Sequence, residues 1–282
     1  KETQGIQGLG ARSSDSAIER LKGLDISGFV AFVDFNCPYC FALHERLCRW
    51  QLADRVEWRM IEHADHLPLP QAASDAGDQL SDEVLEVRHR APDIEVSLPI
   101  ARAEATLATR LIAQVERAYP RSADTLRQEI FRSLWQRGED IGDPVVLERI
   151  LDGSALPKTI LASPPAGSSK FEAWQRDWSN GGFDHCIPVL KHPATNRQLI
   201  GLANERTLAD FLAGEHTFVV DHLVCFYQRK PNILVCGQTG QLWSLLSEIR
   251  PYCEILQASS TERADKLLRQ MIAPDLVIFE TR

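Results

Sequence analysis

The sequence predicts an α/β chain in two parts: a mixed strand-and-helix domain split by a long helical insertion, then a shorter unit of alternating strands and helices. Three observations carry the prediction. A short apolar run rich in β-formers, Gly28-Phe29-Val30-Ala31-Phe32-Val33-Asp34-Phe35, leads straight into Cys37-Pro38-Tyr39-Cys40 and a helical stretch. Helical character then fills most of residues 66–182 before strand character returns. Beyond residue 214, strand and helix alternate at tight spacing.

Taken in order, residues 1–16 are rich in Gly, Ser and charge and read as a flexible tail. The run at 28–35 is a buried strand, and residues 41–53 form a helix with Phe41, Leu43, Leu47 and Leu52 as an irregular apolar face. The junction between them suits redox chemistry. A helix N-terminus offers free N–H groups and a partial positive charge, which stabilise a thiolate at Cys37. Pro38 fits the first helical turn, where no backbone N–H is needed. Two intervening residues bring Cys40 back under Cys37, close enough to close a disulfide. Two other readings compete: half of a zinc site, or inert core thiols. The zinc reading has no second Cys-X-X-Cys, and His63-Ala64-Asp65-His66 is its nearest complement.

An alternating run at 56–61 is the second strand, and a Pro- and Ala-rich loop follows from about 66 to 77. Within the insertion, residues 101–119 form an amphipathic helix through Ala105, Leu107, Leu111, Ile112 and Val115, and residues 125–137 another through Leu126, Ile130, Phe131 and Leu134. Asp143 caps a third, with Pro144 in its first turn, ending near Gly153. Residues 171–180 are a fourth, closed by Gly181-Gly182. A hairpin follows: 185–192, a turn at Pro193-Ala194-Thr195-Asn196, then 197–201. Asn204 caps a last helix over 205–213.

At 282 residues the chain can hold one large domain or two ordinary ones. Its 44% apolar and 25% charged residues are those of a globular protein, and a net charge of −8 with no basic run argues against nucleic-acid binding. No apolar stretch is long enough for a membrane span. Seven scattered cysteines do not form a secreted disulfide framework and point to a reducing cytoplasm. The N-terminus lacks both signal-peptide character and a Met, so a processed or cloned fragment is expected, with a removed signal as the other possibility.

Residues 17–214 resemble the DsbA-like thioredoxin superfamily, most closely its cytoplasmic FrnE-type branch. The resemblance rests on Asp34-Phe35-Asn36-Cys37-Pro38-Tyr39-Cys40-Phe41, the insertion at about 66–182, Leu134-Trp135-Gln136-Arg137-Gly138-Glu139-Asp140-Ile141-Gly142-Asp143 within it, and Ile187-Pro188. It implies a thioredoxin fold and thiol–disulfide exchange, with Cys37 as nucleophile and Cys40 as resolving thiol. It further implies that Pro38, Tyr39, Ile187 and a cis-Pro188 face substrate. Pro188 inside a β-run otherwise reads as an edge-strand trans proline. Tyr39 stands where strongly oxidising DsbA proteins carry His, which implies a lower reduction potential. Cys186 stands where this branch usually has Gly, and is either an additional thiol competing for pairing or a small buried hydrophobe. Cys48 is expected on the buried side of its helix, and His44 as a solvated residue in preference to a proton shuttle. Asp34 and Glu45 are the candidates for a proton relay to Cys40.

Residues 215–230 read as a connector containing Cys225. From 231 to 282 come strands at 232–237, 253–258 and 274–280 with helices at 241–249 and 261–272 between them, a flavodoxin-like half. This unit resembles the first half of a response-regulator receiver domain. Its phosphotransfer chemistry is missing: Cys236-Gly237-Gln238 replaces the acidic residues, and Glu280 occupies the phosphoacceptor position. A degenerate, truncated receiver used for contacts is therefore expected, within a bacterial signalling protein. The combined expectation is a thiol–disulfide oxidoreductase acting on a protein disulfide or small thiol, with no cofactor beyond its own Cys37–Cys40 disulfide and glutathione as candidate reductant. No metal, nucleic acid or membrane is expected as partner; a homodimer or a downstream output domain through the receiver-like unit is. The alternatives are a redox sensor whose dithiol state controls that unit or an output domain, and a scaffold that keeps its dithiol unused.

Overall fold

Strand β1, Phe29–Val33, is buried at every position, as a central strand covered on both faces must be. The computed structural model describes residues 21, 25–63, 77–162, 168–181, 183, 186–220, 232–236, 254–258, 260, 264 and 276–279. They fall into two compact units, Lys1–Val224 and Cys225–Arg282.

In the first unit, β1 runs into helix α1, Pro38–Arg49, and then β2, Val56–Met60, which pairs parallel to β1. The burial of β2 alternates along its length, as one covered face requires. The helical insertion follows: α2 (Gly77–Arg90), α3 (Thr106–Ala118), α4 (Pro120–Trp135), α5 (Pro144–Gly153), the short α6 (Thr159–Ala162) and α7 (Ser168–Ser179). The sheet resumes with β3 (Val189–His192), β4 (Arg197–Ile200) and, after α8 (Glu205–Leu212), β5 (Phe218–Val220). Its order is β2-β1-β3-β4-β5, with β3 antiparallel to both β1 and β4 and β5 parallel to β4.

Local signals set several boundaries as expected. Asp143 caps α5 by accepting from the Val145 amide at 2.8 Å, and Asn204 caps α8 by accepting from Thr207 at 2.9 Å. Asn196 adopts the left-handed conformation that closes the β3–β4 turn. Other expectations are corrected. The helix expected over 101–119 starts only at Thr106, because residues 91–105 leave the helical path as an arm between α2 and α3. The helix expected over 125–137 starts five residues earlier, with Pro120 in its first turn. The strand expected from 185 begins at Val189, after Pro188. Phe218–Val220, expected in a connector, is a strand instead, because its backbone completes the open edge of β4.

Helix α1 is the largest departure. Ten of its twelve residues are buried, including His44, Glu45 and Arg46. The insertion packs α2 and α4 on the side that would face water in a bare strand–helix–strand unit. Arg46 is 1% exposed and is satisfied by the insertion and by the loop before α8: it donates to Asp93 Oδ1 at 3.0 Å, Ala203 O at 2.5 Å and Arg90 O at 3.2 Å. Arg49 on the same helix also pairs with Asp93.

The second unit is a parallel sheet of β6 (Asn232–Cys236), β7 (Glu254–Ala258) and β8 (Leu276–Phe279) in the order β7-β6-β8. This is the strand order of a flavodoxin-like half. The helices expected at 241–249 and 261–272, the tail at 1–16, Cys225, Cys253 and Glu280 lie outside the described residues. Among the described residues, no helix is long and apolar enough to cross a membrane.

Removing one member of a buried ion pair strands its partners. Arg46→Met is expected to lower the unfolding free energy by about 3–5 kcal/mol. Urea denaturation checks this, and a loss below about 1 kcal/mol would show that Arg46 does not tie the insertion to α1.

Candidate active site

The centre of the site is the turn between β1 and α1. Cys37 is the N-cap of α1, with extended backbone, and its Sγ accepts the Cys40 amide at 3.3 Å. That is the position where Ser or Asp usually caps a helix, and where a helix holds an anion. Pro38 follows in the first turn. Cys40 therefore sits one turn below Cys37, with its own N–H turned towards the first sulfur. No disulfide joins the two cysteines in this structure.

Their environments differ. Cys37 keeps 4% of its surface and Cys40 none. Burial pushes the Cys40 thiol well above its usual range, and the Cys37 sulfur beside it adds to the rise. The Asp34 carboxyl also bears electrostatically on Cys40. Asp34 itself is 4% exposed and its carboxyl is pushed up to about 6 by burial, against the hydrogen bonds it accepts from the amides of Asn36 at 2.8 Å and His63 at 3.0 Å. A buried acid poised near neutrality next to a buried thiol can exchange a proton with it. Glu45, the other relay candidate, is committed elsewhere: Arg132 grips both its oxygens at 3.1 and 2.9 Å.

The second side of the site is the loop before β3. The Ile187–Pro188 peptide bond is cis, and the Ile187 carbonyl lies 4.0 Å from Cys37 Sγ. The structure thus brings Cys37, Cys40, Pro38 and Ile187-Pro188 together, and puts Cys186 two residues before Pro188. Cys186 is fully buried, its amide donating to Phe183 O at 3.1 Å. Tyr39 is fully buried as well, so its ring belongs to the core beneath the turn.

His44 is corrected from a solvated residue to a core one: it is fully buried against the Trp58 and Phe131 rings at 4.7 and 5.2 Å. Burial, with Arg127 and Arg132 nearby, holds its imidazole well below the usual range. Cys48 packs under it, Sγ to Nδ1 3.5 Å, and burial pushes that thiol up to about 12. Neither group is a ready acid–base or nucleophilic partner. Among the described residues no three side chains of metal-binding type converge.

Sequence reasoning missed the groups that hold the turn itself. The Phe35 carbonyl accepts the buried Trp135 Nε1–H at 2.8 Å, and the Asn36 carbonyl accepts Arg102 Nη1 at 2.6 Å. The Asn36 side chain pairs reciprocally with the backbone of Ala103, at 2.8 and 3.0 Å. Asn36 and Trp135 stand inside motifs that marked the resemblance, but Arg102 was read as the start of the 101–119 helix, and nothing marked it as a site residue.

Comparison with known proteins supports the fold. Residues 29–156 match the family model of the DSBA-like thioredoxin domain. No curated protein matches the chain. Among solved structures, a candidate protein disulfide isomerase from Nitrosomonas europaea aligns over 67% of this chain and 97% of its own at 12% identity, with a TM-score of 0.51. A 2-hydroxychromene-2-carboxylate isomerase aligns over 66% and 93% at 13% identity, with a TM-score of 0.50. At these identities the likeness is one of fold.

The Asp34 carboxyl gives a signed pH dependence. Its value is about 6 in the folded protein against an ordinary 3.8, so the folded state holds the proton more tightly. The resulting stability is fully present below about pH 4 and is lost as pH rises through about 6. In reduced protein, the stability of wild type relative to Asp34→Asn is expected to fall by on the order of 3 kcal/mol in total as pH rises from about 3 to about 7. Chemical denaturation across pH measures it, and parallel profiles for the two proteins would refute the assignment.

Proposed function

We propose that the chain is a thiol–disulfide oxidoreductase of the DsbA/FrnE kind, using the Cys37–Cys40 dithiol. The observation that carries this reading is the inequivalence of the two sulfurs: one is the N-cap of a helix, the other lies one turn along it with no exposed surface. The Cys37 thiolate attacks a substrate disulfide R–S–S–R′, the S–S bond breaks, Cys37–S–S–R forms and R′–S⁻ leaves to take up a proton. Cys40 passes its proton to Asp34, and its thiolate attacks the Cys37 sulfur. The Cys37–Cys40 disulfide closes, and R–S⁻ departs and is protonated. Two electrons have moved from the dithiol to the substrate, and the reverse sequence oxidises a substrate dithiol. A small thiol such as glutathione is the proposed reductant of the closed pair.

The Ile187 carbonyl beside Cys37 is the proposed platform for the substrate backbone, with Pro38 and Pro188 bounding it. Cys186, wholly buried, is read as a packing residue. Scattered cysteines outside the dithiol fit a reducing, cytoplasmic setting.

A second reading, a redox sensor, is favoured by the separate parallel unit built from β6, β7 and β8. There the dithiol state would bias a receiver-like unit, with turnover incidental. Turnover on an insulin disulfide separates the two.

Cys40→Ser removes the resolving thiol, so with glutathione disulfide it is expected to accumulate a mixed disulfide at Cys37, read by intact mass. Cys37→Ser should form none at Cys40. Adduct at Cys40 of Cys37→Ser, as fast as at Cys37 of Cys40→Ser, would reverse the assigned roles. Asp34→Asn in otherwise wild-type protein should slow closure of the pair about tenfold or more while leaving the first attack near its normal rate. Quenched-flow thiol trapping follows both steps, and an unchanged closure rate would remove Asp34 from the mechanism.

A further inference from the structure

The arm between α2 and α3 reaches the active-site turn through a guanidinium. Arg102 donates through Nη1 to the Asn36 carbonyl at 2.6 Å and through Nη2 to Glu83 Oε2 at 2.6 Å. Glu83, on α2, is 3% exposed, and the Arg102 side chain is 12% exposed. The neighbouring Ala103 makes its two backbone bonds to the Asn36 side chain. The residue immediately before the proposed nucleophile is therefore gripped on its carbonyl and its side chain by one short segment of the insertion.

A buried ion pair of this kind is a weak device for stability, since desolvating both ions offsets most of their attraction. Its position gives it another use. The guanidinium is one residue from Cys37, at the positive end of α1, in surroundings where screening by water is small. Against its burial, the ion pair with Glu83 raises the basicity of Arg102, with smaller electrostatic contributions from Cys37 and Asp34, so the guanidinium stays charged within electrostatic reach of both groups.

We propose that Arg102 is a positioning residue for the dithiol, fixing the turn through Asn36 and directing a permanent positive charge at the Cys37 sulfur, with Glu83 setting how much of that charge the sulfur feels. The inference rests on the oxidoreductase reading above. Stabilising the anion of the reduced protein makes Cys37 more reactive and the dithiol easier to keep reduced, hence more oxidising towards substrates.

The test uses Cys37 alkylation by iodoacetamide and the equilibrium of the Cys37–Cys40 pair against a glutathione buffer. Wild type, Arg102→Gln, Arg102→Lys and Glu83→Gln are compared, each first shown to unfold cooperatively. Arg102→Gln is expected to slow alkylation about three- to tenfold at pH 7 and to favour disulfide closure by a similar factor, a tenfold change being about 30 mV. Glu83→Gln, which frees the guanidinium from its counter-charge, should move both readouts the opposite way. Arg102→Lys, which keeps the charge without the two-pronged grip, should recover most of the wild-type values. A merely structural clamp would make all three variants fail in the same direction, and that result overturns the proposal. So does Arg102→Gln that matches wild type in both readouts. If wild type itself never closes Cys37–Cys40, the oxidoreductase reading falls and takes this inference with it.

Discussion

Everything at this site depends on satisfying the buried backbone of residues 34–37. A strand that stops and a helix that starts with only four residues between them leave carbonyls that neither element can use. An unpaired buried carbonyl costs roughly 1–3 kcal/mol, so the turn stands only if other groups reach it. Here Trp135 takes the Phe35 carbonyl, Arg102 takes that of Asn36, and the Cys37 amide closes back on Asp34 at 3.2 Å. Two of these three donors come from the helical insertion. The insertion is thus a structural part of the site and not an ornament on a complete domain.

The same insertion dries α1, and the chemistry of the site follows from that. Burial alone would push every thiol and carboxyl along α1 towards its neutral form, and it does so for Cys40, Cys48 and Asp34 while holding His44 neutral. Cys37 differs from its neighbours by position: it is the residue at which the helix presents its N-terminal amides. Under the proposed function, Cys37 is the nucleophile, Cys40 the resolving thiol that must be deprotonated, and Asp34 the buried acid within electrostatic reach that accepts the proton.

The local parts of this arrangement were legible in the sequence. The apolar run before Cys37, the two-residue spacing, Pro38 in the first turn and the Asp143 and Asn204 caps are short-range signals, and each stands where it was read. Pro188 was legible as an anomaly within a β-run. The misread residues are those whose surroundings come from far along the chain. His44 looked solvated because nothing near it in sequence covers its face of α1; Phe131, in α4, does. Phe218–Val220 gave no strand signal because three residues carry no period, and only the open edge of β4 gives them a role. Arg102 was invisible for a related reason: its partners, Glu83 and Asn36, are respectively 19 and 66 residues away.

The account as a whole stands on Cys37 and Cys40 forming one redox pair. Peptide mapping by mass spectrometry, after equilibrating the full chain with glutathione disulfide, tests that most directly. The account predicts a single new linkage, Cys37 to Cys40, with Cys48 and Cys186 recovered as free thiols. A linkage from Cys37 to Cys186, or glutathione on Cys37 with Cys40 still reduced at equilibrium, would contradict it.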